Sequence, residues 1–171
     1  AVASAGPPEL IYYPVFTAEG GFLTKQAKEV AGLEETILSA ADGMISPAAA
    51  EAVGEAGEGM YFSGPDLSFT NELYATFLEK HTEVYGIDPT SVFHSHAFDA
   101  ATIILSCVEE VGVVDGEDLH VGRQAMRDCV TATSGYDGIT GTLTCNEYGD
   151  CADPQITVSQ LTAGEYLPIW P

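Results

Sequence analysis

The chain has 171 residues, of which 46% are hydrophobic and 18% charged, so it is long and apolar enough for a packed core and is not a disordered chain. It carries 26 acidic and only 5 basic residues, which gives a formal net charge of −21. Nucleic acids and anionic membrane surfaces are bound through clusters of Lys and Arg, so this balance excludes nucleic acid as a partner.

The first part of the chain alternates between strands and helices. Short apolar runs predict the strands, and apolar residues at helical spacing predict the helices between them. The predicted elements are a strand at 10–16, a helix at 18–31, a strand at 36–41, a helix at 47–56 and a strand at 59–65. This alternation predicts an α/β fold with parallel strands, right-handed crossovers and helices flanking the sheet.

The pattern changes near residues 65–70, where three helices follow one another. They are predicted at 71–85, 92–111 and 119–133, and glycines and turn residues then dominate up to residue 154. The tail at 155–161 alternates polar and apolar residues as a half-buried strand does, and Ala163-Gly164 could start a hairpin. The chain is therefore expected to pass from one lobe to another and back.

The four cysteines, Cys107, Cys129, Cys145 and Cys151, favour disulfides over a metal site. They form no Cys-x-x-Cys pair and have no His spacing suited to zinc. Turn residues lie between Cys145 and Cys151, which could bring these two sulfurs together. Whether Cys107 pairs with Cys129 stays open, although two helices in contact would allow it, and four free thiols in a cytosolic protein are the alternative.

No catalytic constellation can be identified in the sequence. A Gly-x-Ser-x-Gly nucleophile turn is absent, and His94 and His96 have neither the spacing nor the additional ligands of a metal site. The segment 141–151 lacks the residue register of a calcium loop. We therefore expect no enzyme activity, no metal and no cofactor.

The candidate ligand residues lie where the first two predicted strands end. Ligands of parallel sheets bind beyond the carboxyl ends of the strands, where Phe16, Asp42 and Gly43 are predicted to lie. Asp42 could hold an ammonium group, and Gly43 would let the backbone approach it. The alternative is that Asp42-Gly43 is an ordinary strand-to-helix turn, and that Tyr13 and Phe16 are core aromatics.

An ordered set of short segments resembles the branched-chain amino-acid binding proteins, the type I periplasmic solute receptors of ABC importers. The resemblance runs from Glu9 to about Tyr166 and covers only the second half of such a protein. The segments are Tyr12–Phe16, Ala41–Gly43, Ala56–Tyr61, His96–Ala100, Thr140–Thr144 and Tyr148–Asp150.

The resemblance implies incomplete Rossmann-like lobes and a ligand set. Residues 1–68 would form part of the lobe that carries the acidic ligand residue, 69–140 the closing helices of the other lobe, and 141–171 a hinge crossing and return strand. Asp42 would bind the solute's amino group, with Phe16 as the aromatic contact, Tyr13 as a weaker candidate and Gly43 beside them. The solute carboxylate would be bound by the missing first half, so we expect this chain alone to bind amino acids feebly.

The same resemblance implies the partners and the location. The solute would be a branched-chain or related amino acid, passed to the membrane permease of an ABC importer. The fragment would associate with its missing N-terminal half or with itself. The location would be periplasmic or extracellular, with a lipid anchor on the missing N-terminus. The alternatives are a receptor for amides, urea or aromatic acids, and a sensory ligand-binding module.

Overall fold

The computed structural model describes residues 2–151 and 155–171, which fall into two compact units. Unit 1 comprises Ala1–Leu67, Thr90–Val92 and Gln155–Pro171, and unit 2 comprises Ser68–Pro89 and Phe93–Pro154. The predicted crossing segment 141–171 is thus divided between the units, and its residues 152–154 lie outside the described residues.

The secondary structure of the described residues follows in chain order. The strands are β1 Leu10–Tyr13, β2 Ile37–Ala41, β3 Tyr61–Pro65, β4 Val113–Asp115, β5 Asp118–His120, β6 Tyr136–Gly138, β7 Gly141–Leu143, β8 Ile156–Thr162 and β9 Glu165–Trp170. The helices are α1 Thr17–Glu29, α2 Pro47–Val53, α3 Glu72–Tyr85, α4 His94–Val111 and α5 Arg123–Thr131, with short 3-10 turns at Ala3–Ala5, Asp42–Met44 and Gly54–Gly57.

Unit 1 is built on a five-stranded sheet in the order β1-β2-β3-β8-β9. The pairs β1–β2 and β2–β3 are parallel, as the strand and helix alternation predicted. The pairs β3–β8 and β8–β9 are antiparallel, because the chain returns from unit 2 and then turns back at Ala163-Gly164. Mixed sheets of this kind are common when an antiparallel edge joins parallel strands.

The hydrophobic core of unit 1 lies on one face of this sheet, beneath α1 and α2. Its central side chains include Leu38, Phe62 and Leu161, each at most 2% exposed. Met44 fills the space beside Gly20 of α1, where a Cβ would collide with its thioether. The glycine therefore lets α1 approach the loop that follows β2.

Unit 2 consists of helices and two small hairpins. The helix predicted at 119–133 begins only at Arg123, and residues 113–120 form the β4–β5 hairpin instead. The turn contains Asp115-Gly116, and Gly116 has a φ of +66° that favours glycine. A second hairpin, β6–β7, lies in the segment predicted to be irregular.

A buried carboxylate joins α4 to the second hairpin of unit 2. Asp99 is 1% exposed and accepts hydrogen bonds from the backbone N–H of Ile139 (2.9 Å), the N–H of Thr140 (2.9 Å) and Oγ1 of Thr140 (2.6 Å). A Cβ on Gly138 would lie 2.6 Å from the Asp99 Cγ, so this position needs glycine. The hairpin therefore packs with its backbone directly against the carboxylate.

Both disulfides lie within unit 2. Cys107 of α4 is bonded to Cys129 of α5, and Cys145 is bonded to Cys151. The predicted Cys145–Cys151 bond is confirmed, and the question left open for Cys107 and Cys129 is resolved in favour of a bond. Over the described residues, no helix is long and apolar enough to cross a membrane.

Candidate ligand-binding site

The candidate site is the edge of the unit 1 sheet at which the parallel strands β1 and β2 end. β1 ends at Tyr13 and leads through Pro14 to Phe16, which caps α1, and β2 ends at Ala41 and leads directly into Asp42. Because the two strands are parallel and adjacent, both connections emerge at the same edge. The sequence pattern placed Phe16 and Asp42 beyond strand ends for this reason.

Phe16 and Gly43 are in close contact at this edge. A Cβ on Gly43 would lie 2.8 Å from the Val15 carbonyl oxygen and 2.9 Å from Cδ1 of Phe16. Any larger residue at position 43 would push the two connections apart. The Phe16 ring nevertheless stays 69% exposed, so most of its surface is open to a ligand.

Asp42 is half-buried and opens the short 3-10 turn Asp42–Met44. Its Oδ1 accepts a hydrogen bond of 2.9 Å from the backbone N–H of Gly43. A carboxylate has about four acceptor positions, and this hydrogen bond uses one of them. The side chain is thus oriented by its own turn and keeps acceptor capacity for a charged donor.

Two residues that the sequence analysis did not single out fix the position of the Asp42 turn. The Tyr166 hydroxyl of β9 donates to the carbonyl oxygens of Met44 (2.7 Å) and Ser46 (3.2 Å). On β3, a Cβ at Gly64 would lie 2.6 Å from Cδ1 of Ile45 and 3.5 Å from Cβ of Asp42. Tyr166 therefore anchors the turn from β9, and Gly64 leaves room for it beside β3.

Tyr13 occupies a different environment, because its side chain points into the core and is 8% exposed. Thr24 Oγ1 donates to the Gly20 carbonyl, so the Tyr13 hydroxyl donates to Thr24 Oγ1 across 2.7 Å. Burial raises the pKa of Tyr13, and the hydrogen bond with Thr24 opposes this rise. This environment supports the core role that the sequence left open for Tyr13.

Burial likewise raises the pKa of Tyr166, against the opposing effect of its hydrogen bond to the Ser46 backbone. A phenol with a raised pKa stays protonated and remains a donor over a wider pH range. The hydroxyl of Tyr166 can therefore hold the Asp42 turn throughout the neutral range.

His94 and His96, whose spacing does not suit a metal site, lie in unit 2, in an aromatic cluster. The ring Nε2 of His94 lies 2.9 Å from the Tyr74 hydroxyl, and the ring stacks on Phe77 at a centroid distance of 5.7 Å. The ring Nδ1 of His96 lies 3.3 Å from Ser95 Oγ. Residues 2–151 and 155–171 contain no group of three His, Cys, Asp or Glu side chains placed to hold a metal ion.

Comparison with known sequences finds no match, since no family model and no curated protein matches the chain. Comparison with solved structures finds clear likenesses. The leucine-binding protein LivK of Thermotoga maritima aligns over 98% of this chain with a TM-score of 0.76 and 24% identity. The branched-chain amino-acid binding protein LivJ of Streptococcus pneumoniae, solved with isoleucine, aligns over 99% with a TM-score of 0.73 and 15% identity.

A solute-binding protein of an ABC transporter from Rhodopseudomonas palustris, solved with benzoate, aligns over 99% of this chain with a TM-score of 0.69 and 20% identity. The alignments cover 45%, 47% and 44% of the three proteins, so the chain spans less than half the length of each. These likenesses confirm the predicted fold: the chain has the α/β architecture of part of a type I periplasmic binding protein.

Proposed function

We propose that this chain is part of a solute-binding receptor that supplies an ABC importer, and that its solute carries an amino group, as branched-chain and related amino acids do. The observation that carries the proposal is the pairing of a half-buried carboxylate, Asp42, with an exposed aromatic ring, Phe16, at the carboxyl edge of parallel strands. A carboxylate and an ammonium group form a charge-assisted hydrogen bond, and the ring offers an apolar surface to the solute's side chain.

The charge of Asp42 ranks the possible solutes. An aromatic acid such as benzoate is itself an anion, and placing its carboxylate beside Asp42 would be repulsive. Amides and urea offer neutral donors, which form weaker hydrogen bonds to a carboxylate than an ammonium group does. An amino compound with an apolar side chain is therefore the favoured solute, and a neutral amide is the second candidate.

The proposed location is the periplasm or the cell exterior, where a permease of an ABC importer meets its receptor. The two disulfides support this location, because such bonds persist in oxidising compartments. A lipid anchor ahead of residue 1 and a sensory role for the chain stay predictions.

The test compares leucine with two relatives that each lack one charged group. We expect isoamylamine and leucine to shift the amide NMR signal of Gly43, whereas 4-methylvalerate, which has no amino group, leaves it unchanged. Binding should be weak, with a dissociation constant above about 1 mM, because the residues at hand provide a partner for the ammonium and not for the carboxylate.

Variants separate a specific site from general attraction to an acidic protein. Asp42→Asn should abolish the shifts, whereas Glu35→Gln removes the same charge from the exposed residue ahead of β2 and should preserve them. Equal shifts with 4-methylvalerate, or shifts that persist in Asp42→Asn, would refute the amino-group assignment.

A further inference from the structure

The position of the Asp42 carboxylate depends on a turn that does little to hold itself in place. The 3-10 turn Asp42–Met44 has three residues, and a backbone hydrogen bond of 3.0 Å from the N–H of Ile45 to the Asp42 carbonyl closes it. Stretches of 3-10 structure stay short because their hydrogen-bond geometry is poor. Contacts with other strands must therefore decide where the Asp42 side chain lies.

The hydroxyl of Tyr166 provides such a contact, because it binds both ends of the segment that joins the turn to α2. It lies 2.7 Å from the Met44 carbonyl oxygen and 3.2 Å from that of Ser46. A phenol has one proton to donate, and the shorter distance makes Met44 the principal acceptor. Ser46 is the N-cap of α2 and accepts a hydrogen bond of 3.1 Å from the N–H of Ala49. One side chain of β9 therefore ties the end of the turn to the start of the helix.

The ring of Tyr166 is fixed independently of its hydroxyl. It packs edge-to-face on Phe62 of β3 at a centroid distance of 5.0 Å, and Phe62 is fully buried. Aromatic pairs with this geometry contribute stability beyond the area that they bury. The backbone of Tyr166 is paired with Leu161 in the β8–β9 hairpin. Removal of the hydroxyl alone would therefore leave the ring in its place and release only the Asp42 turn.

We propose that Tyr166 is a positioning residue of the solute site: its hydroxyl holds the Asp42 turn where the carboxylate meets the solute's ammonium group. The role rests on the proposed function, since it concerns the site that Asp42 and Phe16 form. Hydrogen bonds weaken when donor and acceptor are misaligned, and the groups of a binding site must be held within about 0.5 Å of their working positions. Tyr166 acts through the carbonyls of Met44 and Ser46 and needs no contact with the solute.

The alternative is that Tyr166 only stabilises unit 1, as other core side chains do. Tyr13 provides a matched case in the same unit, because its buried hydroxyl donates to Thr24 of α1 across 2.7 Å. Burial raises the pKa of both tyrosines, so both hydroxyls stay protonated at neutral pH. The two residues differ in what the hydroxyl holds, which is α1 for Tyr13 and the segment after Asp42 for Tyr166. A comparison of the two therefore separates positioning from stability.

The test titrates isoamylamine into the wild-type protein, Tyr166→Phe and Tyr13→Phe, and follows the amide NMR signal of Gly43. We expect Tyr166→Phe to bind about fivefold more weakly, which is the effect of losing one hydrogen bond, and Tyr13→Phe to bind within about twofold of the wild type. Each substitution removes one buried hydroxyl and keeps the ring, so the two variants should lose similar stability. Thermal unfolding checks that both are folded, and a folded protein does not bind more weakly because its unfolding free energy is lower.

A second readout follows the turn without any solute. The N–H groups of Gly43 and Ile45 bond to the side chain and the carbonyl of Asp42, so their amide signals report the turn directly. Both signals should move in Tyr166→Phe and stay in place in Tyr13→Phe. Full retention of isoamylamine affinity in Tyr166→Phe, or an equal loss in Tyr13→Phe, would overturn the positioning role and leave the proposed function standing. A wild-type protein that gives no shift with isoamylamine would overturn both.

Discussion

The two units of this chain are held together by different means. Unit 1 has a sheet with a continuous hydrophobic core, in which Leu38, Phe62 and Leu161 are at most 2% exposed, and it contains no cysteine. Among the described residues, unit 2 has three helices, two short hairpins, both disulfides and a buried carboxylate. A unit that buries few apolar side chains needs covalent and polar links to hold one conformation. The chain therefore stabilises unit 1 by an apolar core and unit 2 by disulfides and a buried carboxylate.

The largest effect is expected from Phe62→Ala, which tests the apolar half of this contrast. Phe62 is 0% exposed and packs edge-to-face with Tyr166 at 5.0 Å, so its truncation should cost about 4 kcal/mol. Hydrogen exchange should show lower opening free energies for the amides of β2 and β3, with those of α4 unchanged. Phe22→Ala on the outer side of α1 is the control and should change stability by less than about 0.5 kcal/mol. A parallel loss in α4 would mean that the units unfold as one.

Removal of the Cys107–Cys129 bond should have the next largest effect, now in unit 2. The bond closes a loop with a sequence separation of 22, for which chain entropy predicts about 3 kcal/mol. The double variant Cys107→Ala/Cys129→Ala should speed exchange in α4 and α5 and spare β2 and β3. The matched variant Cys145→Ala/Cys151→Ala opens a separation of only 6 and should cost about 2 kcal/mol. If the shorter loop mattered more, the entropic account of unit 2 would fail.

Asp99→Asn tests the polar link of unit 2 with almost no change of shape. An asparagine NH₂ cannot accept the hydrogen bonds that one carboxylate oxygen receives from Thr140, and the unpaired buried donors should cost about 2 kcal/mol. The backbone amides of Ile139 and Thr140 should exchange faster, as measured by hydrogen exchange. Asp137→Asn, on an exposed residue of the same hairpin, is the control. An unchanged exchange rate of the Thr140 amide in Asp99→Asn would show that the Asp99 carboxylate does not stabilise the hairpin.

The smallest effect is a loss of stability at alkaline pH, which should be greater in unit 1. Burial raises the pKa of Tyr13 and Tyr166 above the ordinary value of 10.0, and Tyr74 is the counterpart in unit 2. A tyrosine whose pKa is raised in the folded state contributes to the free energy of unfolding. This contribution is complete below pH 10 and is lost as the pH rises through the folded-state pKa. The melting temperature, measured from neutral to strongly alkaline pH, should therefore fall more steeply above pH 10. Tyr13→Phe should make this fall shallower. Tyr12 is exposed, so Tyr12→Phe should leave the pH dependence of the melting temperature unchanged. If Tyr12→Phe made the fall as shallow as Tyr13→Phe does, the loss of stability could not be assigned to the buried tyrosines.

The sequence could predict those features that depend on neighbouring residues. The parallel strands β1 to β3 followed from the alternation of short apolar runs with helical periods, and the Cys145–Cys151 bond followed from the turn between the cysteines. The hairpins β4–β5 and β6–β7 were missed because their strands have three residues each, too few to show a period of two. The Asp115-Gly116 pair was the available signal.

The features missed at the candidate site depend on contacts between distant parts of the chain. Tyr166 lies 122 residues from Met44, whose carbonyl it binds, and nothing near either residue indicates the pairing. The contact between Phe16 and Gly43 likewise requires knowledge of how two strand ends are arranged. The sequence placed Asp42 beyond a strand end, and its role as a ligand stays a prediction.

Unit 2 is inserted in the middle of unit 1, and this has a consequence for how the chain is synthesised. The side-chain amide of Gln160 on β8 donates to the Gly59 carbonyl, a residue 101 positions earlier. β8 and β9 emerge from the ribosome after unit 2, so the helices and hairpins of unit 2 are available to fold while the sheet of unit 1 still lacks these two strands. Pairing of β8 with β3 closes a long loop, which costs chain entropy. A folded unit 2 reduces this entropic cost because it brings the two ends of the insertion together.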